Sequence, residues 1–334
     1  MDAFAPVGGW AMVCNAPGEA LRREDRSFAA PGEGEILVTV LACGVCRTDL
    51  HVLDGEIPAN YPIVPGHEIV GNVLAIGSGV TGISPGQRVG IPWLGKTCGH
   101  CRFCKAGQEN LCDAPEFTGA TRDGGYATHA LAQAAFCFLL PDDVADADAA
   151  PLLCAGLIGW RAYGMAGDAQ RLGLYGFGAS AHILAQVAIA DGREVLAFTR
   201  TGDAPSQDFA RSLGCVWAGS SETMPDRPLD AAIIFAPVGE LVPQALKAVR
   251  KGGRVICAGI HMSEIPTFPY ADLWGERRIQ SVANLTRADG DSFLAPHRIA
   301  SVVTHTSAYP LAQANEALGD LRAGRLQGAA VLIP

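Results

Sequence analysis

A chain of 334 residues, 49% of them hydrophobic, is long enough for two domains, each with its own core. Its formal net charge of −9 argues against a nucleic-acid partner, because binding phosphates needs clustered Lys and Arg. No apolar run reaches the roughly 18 residues that span a bilayer, and Met1-Asp2-Ala3-Phe4 lacks the basic-then-apolar layout of a signal peptide, so a soluble, cytoplasmic protein with no membrane contact is expected.

Residues 1 to about 95 read as β-rich. Glu35-Ile-Leu-Val-Thr-Val-Leu and Ile69-Val-Gly-Asn-Val-Leu-Ala-Ile are strand candidates, divided by Pro31-Gly32, Asp54-Gly55, Pro65-Gly66 and Pro85-Gly86 turns. Short strands with frequent turns fit a small barrel-like domain. Within it lies Cys43-Gly-Val-Cys46-Arg-Thr48-Asp49-Leu-His51, then Gly66-His67-Glu68. Thiolate plus imidazole suits zinc, and three protein ligands with one open position is the catalytic form of a zinc site. The third ligand must come from elsewhere, and Cys154 is the candidate.

Cys98-Gly-His-Cys101-Arg-Phe-Cys104 follows, with Cys112 eight residues on. Four thiolates at this spacing can wrap one tetrahedral zinc and leave no vacancy, so such a site is structural. His100 reads as exposed loop. The remaining Cys14, Cys43, Cys137, Cys215 and Cys257 read as small buried side chains.

Asp123-Gly-Gly-Tyr-Ala is a turn into another strand, residues 141 to about 150 fit the start of a helix, and Leu153 to Ala166 reads as helical. Arg171-Leu-Gly-Leu-Tyr175 is a buried strand running into Gly176-Phe177-Gly178-Ala179-Ser180-Ala181 and a helical stretch to Ala190. A Gly-x-Gly-x-x-Ala string between strand and helix inside a βαβ unit binds a dinucleotide. Gly176 permits the tight turn, Gly178 lets pyrophosphate approach backbone N–H groups, and Ala181 allows close helix–strand packing. Strand–helix alternation continues to about residue 283, and Ala329-Ala-Val-Leu-Ile is a last strand expected to rejoin the first domain. The reading is α/β, with a β-rich domain over 1–155 and 290–334 and a doubly wound parallel sheet over 156–289.

In the order of its zinc strings, cysteine lobe and Gly-rich turn, the chain resembles the zinc-dependent medium-chain alcohol dehydrogenases over nearly its whole length. The resemblance implies a chaperonin-10-like catalytic domain and a Rossmann domain, with the active site in the cleft between them. It implies catalytic zinc ligands Cys46, His67 and Cys154, with Glu68 beside the metal and Asp49 orienting the ligand imidazole. Thr48 and His51 match the two ends of a proton relay, and Cys98, Cys101, Cys104 and Cys112 match the structural zinc ligands. Trp93, Phe117 and Ile158 match positions lining the substrate pocket. The expected cofactors are two Zn²⁺ per subunit and a nicotinamide dinucleotide, the substrate is a small alcohol or aldehyde, and the assembly is a homodimer or homotetramer. A reductase acting mainly on conjugated or aromatic aldehydes and a non-catalytic dinucleotide-binding relative are the alternatives.

Three departures from the family pattern stand out. The strand after the Gly-rich turn ends in Phe198-Thr199-Arg200, without the Asp or Glu that bonds the adenosine ribose; a hydroxyl followed by a guanidinium suits a 2′-phosphate, which points to NADP over NAD. Gly324-Arg-Leu-Gln-Gly328-Ala329 lacks the usual Arg after its second glycine, which shifts pyrophosphate contact toward Arg47. The nicotinamide loop Asn284-Leu285-Thr286-Arg287 lacks the glycine usual before Thr-Arg.

Overall fold

Residues 5–300 and 302–334 are described by a computed structural model. They form two compact units. One comprises the chain up to Cys154 with Asn284–Pro296 and Thr304–Pro334; the other comprises Ala155–Ala283 with His297–Val303. The expected α/β class is the one found.

The first unit is built on a seven-stranded mixed sheet centred on Glu35–Val45. One edge of this strand pairs antiparallel with Ile69–Ile76. Its other edge is shared, His129–Gln133 pairing with its first half and the last strand, Ala329–Ile333, with its end. Partners on both sides explain why its apolar residues run almost unbroken, whereas Ile69–Ile76 alternates buried and exposed toward its end. Ile36, Leu37, Ile69 and Ile91 are essentially fully buried, a burial that stabilises by about 1.5–3 kcal/mol per side chain.

The second unit carries six parallel strands in the order Trp217–Ser220, Glu194–Thr199, Arg171–Tyr175, Leu229–Ile234, Val249–Cys257, Arg278–Ser281. In chain sequence this is 3-2-1-4-5-6, the dinucleotide-binding order, and its switch point lies beside Arg171–Tyr175. That strand is buried at every residue, and Tyr175 stacks on Phe198 of the next strand with ring centroids 4.2 Å apart. Helices 155–166 and 179–190 pack against each other on this unit.

Candidate metal centre and dinucleotide turn

Strand pairing brings the first cluster together. Cys43 lies opposite Ile69, so the residues just beyond each strand end, Cys46 and His67-Glu68, converge. The Gly44 N–H donates to the Glu68 carbonyl at 3.0 Å. A Cβ on Gly44 would fall 1.8 Å from Glu68 Oε2, so only glycine lets that carboxylate reach the cluster. Cys46 then caps the helix Arg47–Leu53. Cys154 arrives on a buried turn, Ala150–Leu153, whose Leu153 occupies the space a Cβ on Gly90 would need.

Ligand atoms of Cys46, His67, Glu68 and Cys154 all lie within 4.8 Å of one another. The two Sγ atoms are 3.9 Å apart, close to the roughly 3.8 Å expected across a tetrahedron of 2.3 Å zinc–sulfur bonds. His67 is fully buried, and its Nδ1–H donates to Asp49 Oδ1 at 3.0 Å. Its Nε2, buried and without a hydrogen bond of ordinary geometry, is left to the cluster. A hydrogen bond from Cys154 and the nearby His67 hold the Cys46 thiol well below its ordinary value, against the opposing effect of burial. A thiol whose ionisation is favoured, an imidazole oriented by Asp49 and a second thiol form a donor set that fits zinc.

Asp49 is the hub beneath this cluster. Oδ1 accepts from His67 and from the Gly66 N–H at 3.2 Å; Oδ2 accepts from the Cys46 N–H at 2.8 Å and the Tyr126 hydroxyl at 3.0 Å. Both side chains are buried. Burial, followed by the Asp49 charge, keeps the Tyr126 hydroxyl protonated far above its usual range, so it acts as a donor. Sequence reasoning missed Tyr126: Asp123-Gly-Gly-Tyr-Ala read only as a turn, and its signal was an aromatic hydroxyl placed directly after two glycines.

Cys98, Cys101, Cys104 and Cys112 form a second cluster within the same 4.8 Å limit. Cys104 Sγ stands 3.9 Å from Cys98 Sγ and 3.5 Å from Cys101 Sγ. The N–H groups of Cys104 and Asp113 pull the Cys101 thiol down to about 6. The helix Arg102–Lys105, which carries Cys104, buries no residue of its own. His100 is exposed and bonds to the Cys98 carbonyl. Of the other five cysteines, Cys14, Cys43 and Cys215 are buried and Cys137 and Cys257 partly so.

Residues 32–142 match the alcohol dehydrogenase GroES-like domain. The chain is 48% identical over 325 residues to "Probable alcohol dehydrogenase AdhA" of Mycobacterium tuberculosis, an alignment covering 94% of this chain and 92% of that one. It belongs to the zinc-dependent medium-chain alcohol dehydrogenase family. Among solved structures it is similar to acetophenone reductase from Geotrichum candidum in complex with NAD, at 29% identity, a TM-score of 0.88 and 99% of each chain covered. It is equally similar in fold to the cobalt- and zinc-bound thermostable alcohol dehydrogenase from Pyrobaculum aerophilum, at 26% identity and a TM-score of 0.88, covering 98% of this chain and all of that one. Alcohol–carbonyl oxidoreduction is therefore the reaction of this chain.

The other expected site residues of this dehydrogenase fall as follows. Thr48 is buried, with Oγ1 3.6 Å from Cys46 Sγ. His51, one helical turn on, is half-buried, and its Nδ1 pairs closely with Glu56. Trp93 packs edge-on to His67, ring centroids 5.0 Å apart, and stacks on Phe117 at 4.9 Å. Ile158 and the Gly-rich turn belong to the second unit, whereas Asn284, Leu285 and Arg287 belong to the first. Gly176 has φ +88°, and a Cβ there would meet the Ala236 N at 2.8 Å; Gly178 caps the helix Ala179–Ala190 and Ala181 is fully buried beneath it. Phe177, Ala179 and Ser180 complete the turn. Thr199 is buried and its hydroxyl accepts from Gln207 at 3.0 Å, which leaves Arg200 as the exposed member of the pair. The left-handed residue of the 284–287 loop is Asn284, at φ 58°.

Proposed function

We propose that Cys46, His67 and Cys154 hold a catalytic zinc with Glu68 alongside, and that Cys98, Cys101, Cys104 and Cys112 hold a structural one. The observation that carries this reading is the buried His67 Nε2, turned among two thiols and a carboxylate while Asp49 grips the other ring nitrogen. When bound, zinc supplies the Lewis acidity that eases loss of an alcohol proton or polarises a carbonyl, and the nicotinamide takes or gives hydride. Thr48 Oγ1 accepts the alcohol proton as its own hydroxyl proton is passed on in the direction of His51, one turn along the same helix, which releases a proton to solvent beside the exposed Glu56. Asp49 keeps His67 in the tautomer whose Nε2 faces the metal position. The stacked Trp93 and Phe117 beside His67 form a flat apolar wall, which favours aromatic or conjugated substrates over short aliphatic ones.

Gly176 to Ala181 bind the pyrophosphate of the cofactor, with Arg47 adding charge and Asn284, Leu285 and Arg287 lying by the nicotinamide. Exposed Arg200, and no acidic residue at the strand end, favour NADP. Comparing kcat/KM for NADPH and NADH tests that preference, and a strong preference for NADH refutes it. Cys46→Ser is expected to abolish turnover while circular dichroism and the melting transition survive; full activity in that variant overturns the catalytic assignment.

A further inference from the structure

Glu109 is a buried carboxylate that neither zinc site uses. It opens the single turn Glu109–Leu111 just before the ligand Cys112, and the Cys112 N–H donates back to its carbonyl at 3.1 Å. Its Oε1 reaches across 178 residues of sequence and accepts from both the Arg287 backbone N–H at 3.0 Å and Arg287 Nε at 3.2 Å. The Arg287 guanidinium lies over the Phe136 ring, 5.1 Å from its centroid. Thr286 and Asp289 cap the helix Arg287–Phe293 reciprocally, and Leu285 and Thr286 are buried. The first free N–H of that helix is thus satisfied by a side chain of the cysteine lobe. Burial alone raises the Glu109 carboxyl, but the Arg287 bonds outweigh it and hold the group below the usual carboxylate range.

We propose that Glu109 is a positioning residue: it ties the four-cysteine lobe to the segment 284–287 and so sets how firmly that segment holds the nicotinamide cofactor. This rests on the reading of Asn284, Leu285 and Arg287 as cofactor-binding. The lobe then acts at a distance, because the turn that presents Cys112 to a metal also presents the carboxylate to Arg287.

The test uses zinc-loaded full-length enzyme, with Glu109→Ala and Glu109→Gln counted for zinc and compared with wild type by hydrogen exchange and steady-state kinetics. Glu109→Ala is expected to speed exchange in peptides spanning 284–293 and to raise KM for the cofactor about tenfold with kcat little changed, the scale of one lost charge-assisted hydrogen bond. Glu109→Gln keeps an acceptor oxygen and is expected to fall between wild type and Glu109→Ala on both readouts, which also covers the case in which Glu109→Ala loses its lobe zinc. Unchanged exchange in 284–293 in both variants overturns the tie itself. Faster exchange with an unchanged cofactor KM overturns the proposal through the cofactor reading of the segment, and the exchange data distinguish that failure from the first.

Discussion

The decisive chemistry rests on Asp49, one buried carboxylate that accepts four hydrogen bonds. Removing one of its donors tests the hub without touching a ligand. Tyr126→Phe should cost about 1–2 kcal/mol of stability. It should also speed loss of the catalytic-site zinc to a chelator by roughly tenfold, the usual scale for partners that orient a ligating imidazole. Metal release at the wild-type rate would show that Tyr126 merely fills space. Gly44→Ala is a sharper case, because the new methyl would occupy the position of Glu68 Oε2. It should deplete the catalytic zinc while the four-cysteine site stays filled; a full metal complement at both sites would show that Glu68 can move aside at little cost. At this scale the membership of the two side-chain clusters was legible from spacing and residue types. Tyr126 and Glu109 were not, since each acts through a partner 77 or 178 residues away that only the fold supplies.

Elements place those residues. The strand Glu35–Val45 delivers Cys46, its neighbour Ile69–Ile76 begins where His67-Glu68 ends, and the two are held in register by the sheet. Arg122 ties the sheet to the cysteine lobe's flank, donating to Glu35 at 2.7 Å and Glu116 at 2.8 Å. Burial opposes ionisation of both carboxyls, yet the Arg122 bonds prevail and both titrate below the ordinary value. A depressed folded value stabilises above the unfolded one, about 4.3, and that contribution is lost as pH falls through the folded values. Acid titration of the melting temperature should therefore show a decline below about pH 4 that is shallower in Arg122→Met; identical slopes would remove this cluster from the acid response. Long, strongly patterned strands were legible at this scale, as were the Gly-rich turn and the helix after it. The stretch 141–150 was less so: it forms only a brief helix, Asp146–Ala149, followed by the turn Ala150–Leu153, whose Leu153 fills the space beside Gly90.

For the molecule as a whole, the order of zinc strings, cysteine lobe and Gly-rich strand–helix alternation already specifies the class. What sequence could not supply is assembly. Among the described residues the strand Arg278–Ser281 ends the parallel sheet with an open edge, and Tyr270 and Trp274, shortly before it in the chain, are 68% and 65% exposed. An open edge beside exposed aromatic rings favours association with a second copy. Light scattering of the purified enzyme should give a dimer or tetramer, and Trp274→Arg should shift it toward monomer; a monomeric wild type would refute the oligomer. Among the described residues no helix is long and apolar enough to cross a membrane.

One chain is expected to hold two metals by two separate ligand sets. Elemental analysis of wild type, Cys154→Ser and Cys112→Ser addresses it directly, with two zinc ions per chain expected in the first and one in each variant. A wild-type count of one or none, or a Cys154→Ser enzyme that still carries two, would rule out two separate ligand sets.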